Sequence, residues 1–453
     1  MKKVLIITNL FHASPRIPGL CKYLPEFGWE PVVLTMPLGE NPEANFGPPN
    51  NFKERVRTIE TPYYNIVGFV KKLFGLKPNL SSRDQVKKKF GKKTGEKSLM
   101  EKLIILGAGV IAYPDECRGW KPFAIKAGLK LTKEEKFDAI LSSSSPVISH
   151  LISKAIKTKT NIPWVADMRD LWTQNHNYQY PKIRKFFETR LEIKTLSAAD
   201  AFTTVSEPLV EHLKSRYKDK KIYSIPNGFD PEIVNDPAAP ITEKFTIGYA
   251  GTIYIGKQDP TKLFAALREL IDGKKIDPRK VEIRFYGIPQ DWLGAEIKKF
   301  NLTDIAKQYG ALPRLESFKK QRESQVLLVY GWENPNETGI FPIKLFEYLA
   351  ARRPILATGG TESEKFRKLI DDTRTGKHPI TTEEIKKVLL EYYENYLKNG
   401  KVSYNPNFEE IEKYSYRSMA KKFAEVFNQI PHSRKLRFHY GVKQNNVKRK
   451  FTI

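Results

Sequence analysis

The chain has 453 residues, 40% apolar and 12% aromatic, with 77 basic and 51 acidic side chains and a net charge of +26. This excludes an intrinsically disordered chain, leaves room for two or three domains with their own cores, and calls for an anionic partner such as a sugar nucleotide, anionic lipid or nucleic acid. Its two cysteines, Cys21 and Cys117, exclude a disulfide framework and a cysteine-rich metal site, and fit a reduced cytoplasmic setting.

In chain order, "MKKVLIITNL" reads as a first buried strand and not as a signal sequence, because its apolar run is short and strand-like. A polar turn, a helical "GLCKYLPEFG" and a second strand, "EPVVLT", follow. From about residue 63 to 136 the alternation breaks. "FVKKLFGLK", the lysine-dense "KKKFGKKTGEK" and the apolar "LIILGAGVIAY" suggest a basic, partly amphipathic insertion, read either as a membrane contact or as a solvated helical hairpin. Its apolar run is shorter than the ~20 residues that cross a bilayer.

Strands resume at "DAILSSS", "PWVADM", "AFTTVS" and "IYSIPNG", and "NGFDPEIVNDPAAP" has linker composition. A second series then runs through "FTIGYAGT", "VEIRFYG", "SQVLLVYG" and "PILATGG". Continuous apolar strands separated by helical segments predict parallel sheets covered on both faces. The expected architecture is α/β, with two doubly wound Rossmann-like domains facing across a cleft. Residues 1–235 form the first domain and carry the insertion; residues 236–408 form the second. Residues 409–453 supply a helix returning toward the first domain and a basic tail. Ligands of such sheets sit beyond the carboxyl ends of the strands.

Three stretches carry candidate chemistry. In "GIFPIKLFEYLAARRPILATGG", Pro342 suits a first helical turn, and Leu345, Phe346, Leu349 and Ala350 form an apolar face. A loop ending at that helix offers free N–H groups and a positive dipole end to a phosphate, with Lys344 adding full charge. Glu347 is suited to sugar hydroxyls. An ordinary amphipathic helix with an exposed Lys–Glu pair is the alternative. In "VADMRDLW", the strand end is expected to project Asp167, Arg169 and Asp170 into the cleft; a structural Asp–Arg network is the other reading. In "SSSSPVISHL", Ser144 offers a hydroxyl at a strand end, and His150 either joins it or only flanks a buried helical face.

Taken in order, "PRIPGLCKYLPEFGWEPVVLT", "SSSSPVISHLISKAI", "PWVADMRDLW", "ADAFTTVSEPLVEHL", "IPNGFD", "GYAGTIY" and "GIFPIKLFEYLAARRPIL" resemble the GT-B glycosyltransferases, specifically the family 4-like group of retaining, sugar-nucleotide-dependent enzymes. The resemblance implies that the second domain binds a nucleoside diphosphate sugar and the first binds the acceptor, with no essential metal and no cofactor. By matching motif, Glu347 would bind the nucleotide ribose, and the loop from Gly339 through Ile340 to Lys344 would approach the diphosphate and donor sugar. Gly251 and Thr252 would lie beneath the diphosphate, with Lys257 as a nearby cation, and "YGALPR" would border the base. Arg16 and Gly19 belong to the acceptor-side loop, where Arg16 is either an anion contact or plain surface charge. The chain departs from the family pattern twice. The first of the family's paired glutamates falls on Gly339, with Glu337 two residues too early. "DMRD" occupies the neighbourhood where many members carry a histidine, so Asp167 or Asp170 is the candidate to receive or orient the acceptor hydroxyl, with Arg169 pairing to a carboxylate or phosphate.

The expected function is therefore transfer of a sugar to an acceptor hydroxyl of a glycan or lipid-linked intermediate in cell-surface polysaccharide or glycolipid synthesis. The expected location is cytoplasmic, with an anionic surface at the inner membrane face as a further partner. A non-catalytic anion- or nucleic-acid-binding protein, or another GT-B enzyme such as a sugar-nucleotide epimerase, are the rivals. Nucleic acid is disfavoured because no motif of the common binding folds appears. A dehydrogenase is disfavoured because no G-x-G-x-x-G follows the first strand.

Overall fold

The computed structural model describes residues 1–10, 15–39, 51–66, 68–69, 112–175, 178, 180–235, 240–333, 342–360 and 365–431. The first series of apolar runs forms β1 (Lys2–Ile7), β2 (Trp29–Thr35), β3 (Arg57–Glu60), β4 (Ala139–Ser144), β5 (Trp164–Met168), β6 (Ala201–Thr204) and β7 (Lys221–Ser224). They build one sheet in the order β3-β2-β1-β4-β5-β6-β7, with parallel pairing that sets Ile6 beside Val33 and Leu141. Side chains of a strand alternate between faces, so an unbroken apolar run serves two cores at once. Val4 and Ile6 pack on one side with Ile17, Leu20 and Trp29, whereas Leu5 and Ile7 pack on the other with Trp120, Ile148 and Ile152.

The second series forms β8 (Phe245–Ala250), β9 (Val281–Tyr286), β10 (Ala306–Gly310), β11 (Val326–Tyr330), β12 (Ile355–Thr358) and β13 (Gly376–Lys377), again parallel, in the order β10-β9-β8-β11-β12-β13. This sheet too is covered on both faces, by one core around Ile247, Leu267 and Ile283 and another around Leu327, Phe346 and Ile355. The order reverses between β1 and β4 and between β8 and β11. Such switch points leave a crevice beyond the strand ends, which is where ligand binds in open α/β sheets.

One part of the insertion expected over residues 63–136 is ordinary core. The Lys121–Glu134 helix is a crossover between β3 and β4, with Ala124 and Leu131 buried and Gly128 packed against Ile156. Its lysines are the solvated side of a covering helix. Residues 70–111 of that insertion, and the tail from residue 432, lie outside the described residues.

The chain crosses between the lobes twice, and the two crossings run side by side. Phe229 N–H donates to Tyr414 O at 3.1 Å, and Tyr416 N–H donates to Phe229 O at 2.7 Å. The Tyr416–Gln429 helix, capped by Ser415 accepting from Ser418 N–H, then adds Met419, Phe423 and Phe427 to the core of the first lobe. Phe427 meets Trp29 at 5.1 Å between ring centroids.

Gly19 is set by this docking and not by a ligand. A Cβ there would lie 2.3 Å from the Tyr416 ring. Gly19→Ala should therefore destabilise the protein by about 1–3 kcal/mol, the usual cost of overpacking. Chemical denaturation checks this, and trimming Tyr416 to Ser in the same chain should recover part of the loss.

Candidate active site

At the carboxyl edge of the second sheet, β8, β9, β11 and β12 are each followed by glycine: Gly251, Gly287, Gly331 and Gly359. The backbones there approach too closely for side chains. A Cβ on Gly287 would lie 2.3 Å from Gly251 O, and one on Gly331 would lie 2.8 Å from Gly359 O. Gly251 also has φ +114, a conformation open to glycine and rarely to other residues. The result is a floor of main chain.

The Ile343–Ala351 helix starts at this floor, with Pro342 immediately before it. Tyr348 Oη accepts from Ala250 N–H at 3.1 Å and ties the helix to the end of β8. Lys344, in the first turn, reaches back so that its Nζ lies 3.1 Å from where a Cβ of Gly251 would stand. The ammonium donates to Tyr249 Oη at 2.5 Å and lies 3.8 Å from the centre of that ring. Tyr249 Oη donates its own hydrogen to Thr252 O at 2.9 Å, so toward Lys344 it acts as acceptor. Burial keeps the Tyr249 phenol neutral by raising its pKa well above the usual value. No carboxylate among the described residues pairs with Lys344. Burial pulls its pKa down to about 7, with the charge of Glu347 opposing that fall.

Glu347 lies one turn on, half-buried, with Oε1 at 3.5 Å from Arg314 Nε. Arg314 opens the preceding helix, Arg314–Glu323, and its charge acts on Tyr416, the residue packed on Gly19. Gly251, Lys344 and Glu347 are thus brought to one strand end. Thr252 is exposed beside them and contributes its carbonyl to the Tyr249 bond. Lys257 is placed differently: its ammonium stands over the Trp332 ring, 4.9 Å from the centroid, and Trp332 stacks on Tyr254. Gly339 and Ile340, like Glu337, lie outside the described residues.

Sequence reasoning missed Tyr249 and Glu333. The Glu333 carboxylate accepts from Gly360 N–H at 3.2 Å and stands 3.6 Å from Lys262, on the same glycine floor. The signal was the recurrent glycine at the strand ends in "YAG", "FYG", "VYG" and "TGG".

The first lobe departs further from expectation. Asp167 does not face the cleft; it is fully buried. It accepts from Arg16 Nε and Nη2 at 3.2 and 3.1 Å, Ser143 Oγ at 2.8 Å and Thr203 Oγ1 at 2.8 Å. Burial works against its charge, but Arg16, Thr203 and Arg169 outweigh that and hold the carboxyl below the usual range. A carboxylate so satisfied and enclosed cannot take an acceptor proton.

Arg16 is likewise interior, and not an anion contact. It also donates to Pro226 O at 2.8 Å, contacts Met419 Sδ at 3.5 Å and stacks over Phe423. Arg169 is half-buried and donates to Ser144 O at 2.7 Å and Ser145 O at 3.2 Å, bracing the end of β4. Ser144 is buried, its hydroxyl 3.5 Å from Asp170 O. His150 is enclosed beside Ser142 Oγ at 2.8 Å, and burial pushes its pKa down to about 3, with Asp167 opposing, so it is a neutral core histidine. Of the charged groups in "DMRD", Asp170 alone is exposed. Among the described residues no cluster of three or more His, Cys, Asp or Glu is arranged to hold a metal ion.

Residues 92–233 match Glycosyltransferase Family 4. The chain is similar to the Anabaena protein HepE in complex with UDP (TM-score 0.58, 12% identity, covering 95% of this chain and 100% of that one). It is similar to a glycosyltransferase from Rickettsia africae (TM-score 0.55, 16% identity, 94% and 98% covered). It is similar also to sucrose-phosphate synthase from Thermosynechococcus elongatus (TM-score 0.54, 13% identity, 95% and 99% covered). No curated relative matches the sequence. Two parallel, doubly wound lobes with the strand ends facing a crevice define the GT-B class. The chain therefore has the GT-B fold, and within its first lobe residues 92–233 are similar to Glycosyltransferase Family 4.

Proposed function

We propose that the second lobe holds a nucleoside diphosphate sugar, and that the sugar passes with retention to a hydroxyl of a glycan or lipid-linked acceptor brought by the first lobe. The observation that carries this reading is Lys344, an ammonium with no partner anion among the described residues, set over a main-chain floor at a helix N-terminus. As the bond from the anomeric carbon to the phosphate oxygen breaks, negative charge grows on the diphosphate, and Lys344 with the helix N–H groups meets it. In this reading that charge is met by Lys344 and not by a metal ion. Glu347 takes the ribose hydroxyls. Asp170, the exposed carboxylate, orients the incoming hydroxyl and receives its proton as the hydroxyl oxygen bonds the anomeric carbon. The UDP and glucose bound by HepE, and the UDP and α-GlcNAc-glycerol bound by S. aureus TarM, support a sugar-nucleotide donor and a glycan-type acceptor. No described helix is long and apolar enough to cross a membrane. The reading places the enzyme in the cytoplasm, working at the inner membrane face in surface polysaccharide or glycolipid synthesis.

The test is release of nucleoside diphosphate from a panel of sugar nucleotides, with and without lipid extract. Glu347→Ala should weaken UDP binding at least about tenfold. Asp170→Asn should leave UDP binding intact and lower transfer by about 10²-fold or more. Loss of UDP affinity in the Asp170 variant overturns the division of labour between the lobes, and nucleic-acid binding without any nucleotide binding overturns the whole reading.

A further inference from the structure

The Lys182–Leu196 helix, "KIRKFFETRLEIKTL", turns both of its acids inward and most of its large apolar side chains outward, with Leu191 and Leu196 kept against the core. A surface helix ordinarily turns its apolar stripe inward and its charges to water. Here the two acids, Glu188 and Glu192, are each 1% exposed, whereas Ile183 is 70% exposed, Phe187 54%, Phe186 52% and Ile193 41%.

The inward placement of the acids is specific. Glu188 accepts from Arg184 Nε at 2.6 Å, Tyr178 Oη at 2.9 Å and Trp172 Nε1 at 3.2 Å. Glu192 accepts from Thr173 N–H at 3.0 Å and pairs with Arg216 at 2.8 Å. These partners fix the rotation of the helix, so the aromatic side must face outward. The other exposed side chains on it include Lys182, Lys185, Arg190 and Lys194, and no acid. Arg190 lies over the Phe186 ring at 4.1 Å, holding its charge beside the apolar patch.

The basic character continues onto the neighbouring helix. A groove of about 410 Å³ opens between them, floored by Leu151 and Leu191 and edged by Lys121, Lys154 and Lys194, with no acid in its lining.

From this we propose that the outward face of the Lys182–Leu196 helix, centred on Ile183, Phe186 and Phe187 and ringed by Lys182, Lys185 and Arg190, docks the first lobe onto an anionic lipid surface. Apolar side chains entering the acyl boundary with a rim of Lys and Arg at the headgroups are the pattern of an interfacial helix. A second copy of the chain fits less well, since pairing this face with itself would set like charges against each other. The same buried glutamates hold Trp172 and Thr173, close in sequence to Asp170, so the docked face is braced against the acceptor-side strand end. The use of the contact rests on the reading of a membrane-borne acceptor; the contact itself does not.

The experiment is co-sedimentation of the full chain with phosphatidylcholine vesicles, with and without phosphatidylglycerol, alongside UDP binding as the check on folding. Binding to the anionic vesicles is expected. Replacing Ile183, Phe186 and Phe187 together by Ser should weaken it at least about tenfold, and replacing Lys182, Lys185 and Arg190 by Ser should do the same, with UDP affinity unchanged in both. Absence of binding to anionic vesicles by the full chain, or undiminished binding by the apolar variant, overturns the proposal, as does capture of the patch by an acidic protein without any vesicle binding. Should the triple variants fail to fold, Phe186→Trp reads the same contact: its emission should shift to the blue with anionic vesicles, and an unchanged spectrum overturns the proposal. Vesicle binding without donor turnover would instead sink the transferase reading and leave this one standing.

Discussion

Lys344→Met should weaken sugar-nucleotide binding by roughly 10- to 100-fold, the range set by losing one charge-assisted hydrogen bond in a part-buried site. It should also remove a pH dependence expected of the unaltered protein. The free ammonium titrates at about 7 because burial opposes its charge. A diphosphate beside it favours the protonated form and raises that value in the complex. Affinity is then full below pH 7 and falls as pH rises from about 7 toward the bound value, and proton uptake accompanies binding in that interval. A sugar nucleotide is the proper probe, because the charge of its diphosphate does not change across the range, unlike that of free UDP. Calorimetry at pH 6 to 9 checks both parts. A flat profile in the unaltered protein would show that Lys344 does not meet the phosphate.

Arg16→Met should cost about 3–5 kcal/mol of stability, the loss expected when one partner of a buried ion pair is removed. Asp167 would keep the hydrogen bonds of Ser143 and Thr203 and the charge of Arg169 nearby, but no ion-pair partner in hydrogen-bond contact. The same substitution releases Pro226 O on the first crossing and the contact with Met419 on the returning helix. Arg16→Lys should not restore stability, because an ammonium cannot supply the fork that spans both Asp167 oxygens. Urea denaturation measures both variants. A loss below about 1 kcal/mol for Arg16→Met, which is the scale of an exposed pair, would contradict the enclosed network.

Legibility in the sequence followed the distance over which each feature is decided. The strands themselves could be inferred from local runs because buried parallel strands announce themselves as unbroken stretches such as "VLII" and "VLLVY". The donor side was legible for a related reason: Lys344 and Glu347 share one helix, and Gly251 sits at the end of one strand. The first lobe misled because charge suggests exposure. Arg16 and Asp167 are 151 positions apart, and only the folded chain shows them closing on each other away from solvent. His150 carried both readings in its sequence, and the core won through Ser142, the hydroxyl that Trp164 also uses. In the Lys182–Leu196 helix, nothing in the sequence says which face turns inward. Partners in other elements, Trp172, Thr173 and Arg216, decide that.

The helix that follows the second crossing has a bearing on how the protein is made. Met419, Phe423 and Phe427 complete the hydrophobic interior begun by Val4, Ile17 and Trp29, so the amino-terminal lobe stays unfinished while the ribosome synthesises the whole of the other lobe. A nascent chain halted after residue 408 should then expose an unsealed apolar surface and depend on chaperones, even though every strand of its first sheet has already been made.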